Sequence, residues 1–305
     1  MIRTAVILAA GEGRRNFPYT LTRQKAAIPV GNRPLIQITG DALMRRGIQR
    51  LLVVVGHRAE RVHHALSGIE AVLVEQHQRT GTAPAVLEAA KHLGDEPFLV
   101  LYGDVLMAPD NVSRLLDAFE GSGATAAVLL DPLAGKDARD WICAGMQDGT
   151  LTGIAGHPRG GSHRLAGAFV LTQRALRYVE ANPGLVTSVP VGGMPKLEAD
   201  LSQSLQMMID DGAQVLAVEA EDFVVDIDKP WHVLQANCVY ARHVCGQLQE
   251  SDTSRGRVSD GADIHGHIVL GEGAEVGKRA VIRGNAIIGR GTTLTDGPMV
   301  GGNTI

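Results

Sequence analysis

The sequence lacks several features that would assign it to a special class. No stretch approaches the roughly 18 uninterrupted apolar residues of a membrane-crossing helix, so no membrane partner is expected. The apolar run after Arg3-Thr4 is only about seven residues long and passes directly into Gly- and Arg-rich sequence. That is too short for a secretory leader and reads as a buried strand feeding a loop. Cysteine is scarce: Cys143, Cys238 and Cys245 are odd in number and without metal-ligand spacing. This excludes a disulfide framework and points to reduced thiols in a cytoplasm. Positive charge is not in excess, since 29 Lys and Arg stand against 33 Asp and Glu, a formal charge of -4. Nothing electrostatic favours nucleic acid, and any phosphate binding must be local.

What is present is ordinary for a globular protein: 305 residues, 45% apolar and 20% charged, enough for one large domain and a small one. Up to about residue 228, short β-branched runs alternate with amphipathic stretches. Strands are expected at Ala5–Ala9, Leu51–Val55, Val72–Glu75, Phe98–Tyr102, Ala124–Leu130 and Val215–Val218, with helices at Pro34–Arg46, Arg58–Leu66, Ala83–His92 and Asn111–Phe119. Such alternation implies a Rossmann-like, mostly parallel sheet covered by helices on both faces. Between Trp141 and Leu171 the alternation lapses into shorter pieces, read as an antiparallel excursion. A helix is expected from Pro230 to about Gln249, followed by a polar linker at Glu250–Gly256. The domains expected are therefore 1–228, a connecting 229–256, and 257–305.

The last segment repeats. Ile264, Leu270, Val276, Ile282, Ile288, Leu294 and Val300 recur at intervals of six, and Gly follows four of them. A six-residue aliphatic period marks a parallel β-helix, read here as left-handed, with each aliphatic side chain stacked inside the solenoid. At about eighteen residues per coil the segment supplies roughly two coils. Ending at Ile305 without a polar cap, it is expected to be completed by another subunit or a further tail, so a homo-oligomer is expected.

The chemistry begins after the first strand. Leu8-Ala9-Ala10-Gly11-Glu12-Gly13-Arg14-Arg15 is a loop of small residues with two cations. Glycines let backbone N–H groups approach phosphate oxygens, and an Arg grips phosphate through two N–H bonds. A dinucleotide fingerprint fails, because Asn16 stands where the third Gly should fall and Phe17-Pro18 interrupts the helix. Further on, Phe98-Leu99-Val100-Leu101-Tyr102-Gly103-Asp104 delivers a carboxylate to the carboxyl end of a strand, where ligands gather in open α/β sheets. Two more stretches complete the set, Gln76–Ala83 with Gln76, Gly81 and Thr82, and Phe223-Val224-Val225-Asp226-Ile227-Asp228-Lys229-Pro230. An amide such as Gln76 both donates and accepts hydrogen bonds. Thr82 also reads as the N-cap of the helix that follows.

Together these stretches resemble the sugar-1-phosphate nucleotidyltransferase family over almost the whole chain. The family's opening Leu-Ala-Ala-Gly-x-Gly-Thr-Arg, its Pro, and its Lys before Pro-Val are matched by Gly11, Gly13, Arg15, Pro18, Lys25 and Pro29-Val30, with Arg14 for Thr and Gln24 for Pro or Ser. The resemblance implies that Leu8, Ala9, Ala10, Gly11, Gly13 and Arg14 line the nucleotide, that Arg15 and Lys25 neutralise the triphosphate, and that Gln76, Gly81 and Thr82 hold the base. It implies Mg²⁺ on Asp104 and Asp226, with Asp228 standing where Gly is usual. On the sugar side this chain departs: Gly156-His157-Pro158 replaces Glu-Lys-Pro, and Leu165–Phe169, with Gly167, replaces Asn-x-Gly-x-Tyr. His157, Arg159 and Arg164 are the candidates to replace the missing Lys on the sugar phosphate. The expected activity joins a nucleoside triphosphate to a sugar or cyclitol phosphate with release of pyrophosphate. A cytidylyltransferase for a phosphorylated non-sugar alcohol and a non-catalytic regulatory subunit remain the alternatives.

Overall fold

A computed structural model of the chain describes residues 2–78, 80–135, 138, 141–155, 161–186 and 197–305. It divides into two compact units, 1–28 with 34–230, and 29–33 with 231–305. Among the described residues no helix is long and apolar enough to cross a membrane.

The first unit is built on a nine-stranded sheet. Its strands are β1 (Thr4–Ala9), β2 (Arg50–Val55), β3 (Val72–Glu75), β4 (Phe98–Tyr102), β6 (Ala126–Pro132), β7 (Cys143–Gln147), β8 (Thr150–Ala155), β9 (His163–Leu171) and β10 (Val215–Glu219). Among the short strands outside it, β5 (Val105–Met107) and β11 (Val224–Asp226) pair with each other. The sheet order is β3-β2-β1-β4-β9-β6-β10-β8-β7. Strands β3, β2, β1 and β4 run parallel. Strand β9 is antiparallel to β4 and β6, and β7 and β8 pair antiparallel, which is the excursion expected between Trp141 and Leu171.

Parallel strands buried on both faces require continuous apolar sequence, and Thr4-Ala-Val-Ile-Leu-Ala9 supplies it. Successive side chains then feed opposite cores: Ile7 packs with Val53, Leu101 and Leu43, and Val6 with Leu52, Val86 and Phe98. The covering helices are α1 (Leu35–Arg45), α2 (Ala59–Ala65), α3 (Thr82–Ala90), α4 (Pro109–Phe119), α5 (Gln173–Glu180) and α6 (Leu201–Asp210). Helix α4 shows why they form. Pro109 opens it, and Val112, Leu115, Leu116 and Phe119 make one buried stripe. Its buried Asn111 exchanges hydrogen bonds of 2.9 and 2.8 Å with the Glu221 backbone, anchoring the approach to β11.

Sheet order places β1 between β2 and β4, so connections leave β1 and β4 in different directions. The crevice at that switch point lies at the carboxyl ends, between Leu8 and Asp104. There Gly103 donates its N–H to the Leu8 carbonyl at 2.9 Å, and a Cβ at Gly103 would lie 2.9 Å from that oxygen.

The second unit holds helix α7 (Pro230–Gly246) and three short parallel sheets. Val258 pairs with Val276, and Val276 with Leu294, so each residue meets the one three hexads later. Leu270, Val276, Ile282 and Ile288 are buried, whereas Ile264, Leu294 and Val300 at the ends are only partly so. Gly271 and Gly277 are dictated by close approach of neighbouring coils, since a Cβ would lie 2.5 Å from the Arg290 nitrogen and 2.7 Å from the Leu294 oxygen respectively. One expectation is corrected. Residues 250–256 do not hang as a free linker, because Asp252 hydrogen-bonds with Ile268 and Leu270 backbone at 2.8 Å and belongs to the first coil.

Ile282 is fully buried in the middle of that stack. Ile282→Ala should cost about 2–5 kcal/mol, and Ile282→Val about 1, read as lost amide protection in the coil strands by hydrogen exchange.

Candidate active site

The site grows from the loop after β1. Gly13 takes a left-handed conformation (φ 65°) and starts a short 3₁₀ turn, Arg14–Asn16. A Cβ there would crowd Thr20 and Lys25 at 3.0 and 3.1 Å, so only glycine lets the loop pass. Gln24, which is buried, pins this loop from beneath: its amide nitrogen Nε2 donates to the carbonyls of Ala9 (2.7 Å) and Gly11 (3.3 Å), and its Oε1 accepts from the Ala26 N–H. Lys25 is thereby set in the crevice.

Lys25 is the centre of the cluster. Its Nζ lies 2.5 Å from Asp104 Oδ2, 3.3 Å from Asp228 Oδ1 and 3.8 Å from Asp226 Oδ1. Arg15 Nη2 reaches the same Asp228 oxygen at 2.9 Å while most of its side chain stays exposed. Backbone pairing brings the acids together: Asp226 faces Val105 across the β11–β5 pair, and the Ile227 N–H donates to the Asp104 carbonyl at 2.9 Å. The Ile227 carbonyl in turn accepts from Nδ2 of the fully buried Asn16 at 2.5 Å. One residue, Ile227, thus ties the Arg15 loop, Asp104 and both acids of the Asp226–Asp228 segment through the peptide groups on its two sides.

The electrostatics follow from this crowding. Burial alone would depress Lys25, but Asp104, Asp226 and Asp228 outweigh it and hold its pKa above the usual lysine value. Burial pushes the Asp226 carboxyl up to about 7, with Asp104 adding to the rise and Lys25 opposing it. About a third of the Asp226 side chain is exposed, yet its Oδ1 is buried without a hydrogen-bond partner, which is why desolvation dominates.

Those features test the fit of a divalent cation. Among the described residues no group of three or more His, Cys, Asp or Glu forms a metal cluster. Asp104 and Asp226 are a pair, and Mg²⁺ commonly takes one or two carboxylates with waters and phosphate oxygens. An orphaned buried carboxylate oxygen beside a second carboxylate fits such an ion.

The remaining expected residues fall in three groups. Leu8, Ala9 and Ala10 form the end of β1 and its exit, Gly11 is exposed, and Arg14 pairs with Glu12 at 2.6 Å on the surface. Gln76 is buried, with its Nε2 donating to the Gly81 carbonyl at 3.1 Å. Gly81 (φ 122°) abuts Ala199, whose carbonyl oxygen would lie 2.2 Å from a Cβ. The N-cap of α3 is Gly81 rather than Thr82; the Thr82 hydroxyl instead accepts from the Leu201 N–H (2.8 Å) and donates to Asp200 (3.1 Å), serving the start of α6. On the sugar side, His157 and Arg159 lie outside the described residues. Gly167 (φ 73°) sits where β9 shifts register, and a Cβ there would press on Tyr102 and Val105 at 3.0–3.2 Å.

Arg164 is a correction. Its side chain is only 3% exposed, its Nε donates to Asp131 Oδ2 (2.7 Å), its Nη2 donates to the Val224 carbonyl (2.9 Å), and its guanidinium lies 4.1 Å over the Trp141 ring. A cation so committed is a brace for β11 rather than a phosphate ligand. The sequence could not show this, because Asp131, Trp141 and Val224 are distant in the chain. Asp228, Asn16 and Gln24 were likewise missed as site residues. The one signal was negative, that Asp228 and Gln24 depart from the family pattern.

Residues 4–145 match the family model described as nucleotidyl transferase. The low-salt glycan biosynthesis nucleotidyltransferase Agl11 of Haloferax volcanii is 28% identical over 282 residues, covering 88% of this chain and 73% of that protein. A glucose-1-phosphate thymidylyltransferase of Streptomyces antibioticus is also 28% identical, covering 89% of this chain and 74% of its own length. The solved UDP-glucose pyrophosphorylase of Acinetobacter baumannii superposes with a TM-score of 0.66 at 20% identity, over 80% of this chain and 94% of that one, a likeness of fold.

The raised Asp226 pKa has a consequence for stability. A carboxyl that holds its proton more tightly folded than unfolded stabilises the fold at low pH. That contribution is fully present below the ordinary value of 3.8 and is lost as pH climbs towards 7. Without divalent cation, the melting temperature should therefore carry a downward component between pH 4 and 7 that Asp226→Asn removes. Thermal melts of both proteins across that range in chelator check it; parallel profiles would refute it.

Proposed function

We propose that this chain, a nucleotidyltransferase of the sugar-1-phosphate type, joins a nucleoside triphosphate to a sugar or cyclitol phosphate and releases pyrophosphate. The observation that carries the reading is the convergence of Lys25, Arg15 and the Asp104–Asp226 pair at the carboxyl ends of β1 and β4. Asp104 and Asp226 would hold a divalent cation, proposed as Mg²⁺, which would supply charge neutralisation at the reacting phosphates. A phosphate oxygen of the acceptor attacks the α-phosphorus in line, one P–O bond forming as the bond to pyrophosphate breaks. The attacking oxygen is already anionic, so no side chain need take a proton. Lys25 and Arg15 neutralise the triphosphate, and the Gly11–Gly13 backbone offers its N–H groups to phosphate oxygens. Gln76 and Gly81 are proposed beside the base. With Arg164 spent on Asp131 and Val224, His157 and Arg159 are the cations proposed for the acceptor's phosphate.

We further propose a cytoplasmic homo-oligomer. Trp231 and Leu234, three residues apart on α7, are 64% and 68% exposed, an apolar face that self-association would cover. Light scattering should give a multiple of the 32.3 kDa chain mass, and Leu234→Lys should lower it; a monomer at micromolar concentration would refute this.

The decisive experiment is a pyrophosphate-release screen of nucleoside triphosphates against sugar and cyclitol phosphates with Mg²⁺. One pairing should turn over. Asp104→Asn and Asp226→Asn should each reduce its rate about a hundredfold through lost charge stabilisation, while the fold survives. Near-wild-type turnover in folded Asp104→Asn would place the active site elsewhere.

A further inference from the structure

Asp228 belongs to neither the sequence-derived site nor the proposed metal pair, yet it is the carboxylate that touches both cations. Its Oδ1 lies 2.9 Å from Arg15 Nη2 and 3.3 Å from Lys25 Nζ, and its side chain is largely buried. It cannot swing away cheaply. The preceding residue, Ile227, donates its N–H to the Asp104 carbonyl and accepts from Asn16 at its own carbonyl, so the backbone at Asp228 is fixed to the same frame as Asp104.

Lys25 Nζ faces Asp104 Oδ2 and Asp226 Oδ1, the oxygens that a cation bridging these two carboxylates from the same side would take. A divalent ion on those same two oxygens and the ammonium that now faces them would repel strongly at such short range. An incoming divalent ion must displace the ammonium, and a buried ammonium without an anion carries a large desolvation penalty. Burial leaves Lys25 little room to find water, so the nearby anion decides where it goes.

We propose that Asp228 is a positioning residue that receives Lys25 when a divalent cation takes Asp104 and Asp226. The ammonium passes from Asp104 to Asp228, which already holds Arg15. Both cationic groups then stay beside the ion, facing the place where triphosphate charge gathers. No covalent bond changes and no proton moves in this exchange. The inference rests on the metal reading of Asp104 and Asp226 given above. It assigns a use to the carboxylate that stands where the family pattern has glycine.

The test reads cation affinity rather than turnover. Mn²⁺ is titrated to millimolar concentration into the full chain, with free Mn²⁺ followed by electron paramagnetic resonance. Wild type is compared with Asp104→Asn, Asp228→Asn, Asp228→Glu, Lys25→Met and the Lys25→Met/Asp228→Asn double variant, with melting temperatures alongside. Asp228→Asn should weaken Mn²⁺ about tenfold, since Lys25 then clings to Asp104, and Lys25→Met should strengthen it. In the Lys25→Met background the Asp228→Asn cost should shrink to about twofold, because the handover no longer exists. Asp228→Glu, which keeps the charge, should stay within about threefold of wild type. Damage to the fold, or a bare field effect of one charge, would cost the same in both backgrounds, and equal costs would overturn the inference. Binding lost in Asp104→Asn but unchanged in Asp228→Asn would overturn this inference alone. Binding indifferent to Asp104→Asn would remove the metal reading and this inference with it.

Discussion

The ammonium of Lys25 among three carboxylates is the contact on which the rest of the site depends. Carboxylates crowd unfavourably in a partly dry crevice unless a cation stands between them. The fold brings Asp104, Asp226 and Asp228 together through hydrogen bonds that do not involve the charges themselves, notably those to the N–H and carbonyl of Ile227. Lys25 then compensates, and Gln24 fixes the loop that carries it. Sheet, loop and ion cluster are one construction, since the Gly103 N–H that closes β1 on β4 also aims Asp104.

This construction trades stability for readiness. Asp226 is held in surroundings that disfavour its charge, and a hydrogen-bond partner for its Oδ1 is missing among the described residues. A core free of function would not keep such a group. The strain is confined by bracing from behind: Arg164 joins Asp131 on β6 to the carbonyl of Val224, two residues before Asp226. Asn111 holds the Glu221 backbone just ahead of it. The acids are therefore rigidly placed although their local charge balance is poor, as a site that awaits a positive ligand requires.

Much of the fold was legible in the chain. Apolar runs such as Ala5–Ala9 and Phe98–Tyr102 fall within observed strands, because a strand buried on both faces admits few other residues. The hexad period foretold the stacked parallel sheets, because coils in register repeat their inward positions. Asp104 could be singled out from its strand end, and Lys25 from the family resemblance. Their mutual contact could not, because 79 residues separate them. Arg164 was misjudged for the same reason: a sequence shows that a guanidinium is available, not that Asp131 and Trp141 have already claimed it.

The sequence by itself determined the alternation of strands and helices, the coil repeat, and the supply of glycine, cation and carboxylate at strand ends. These are local properties, fixed by side-chain periodicity and by which residues tolerate tight backbone turns. The tertiary structure alone decided which carboxylates share Lys25, that Thr82 serves α6 rather than α3, and that Arg164 is a brace. Such choices depend on distances between segments far apart in the chain, and a polar group's role is set by whichever partner the folded backbone brings within hydrogen-bonding reach.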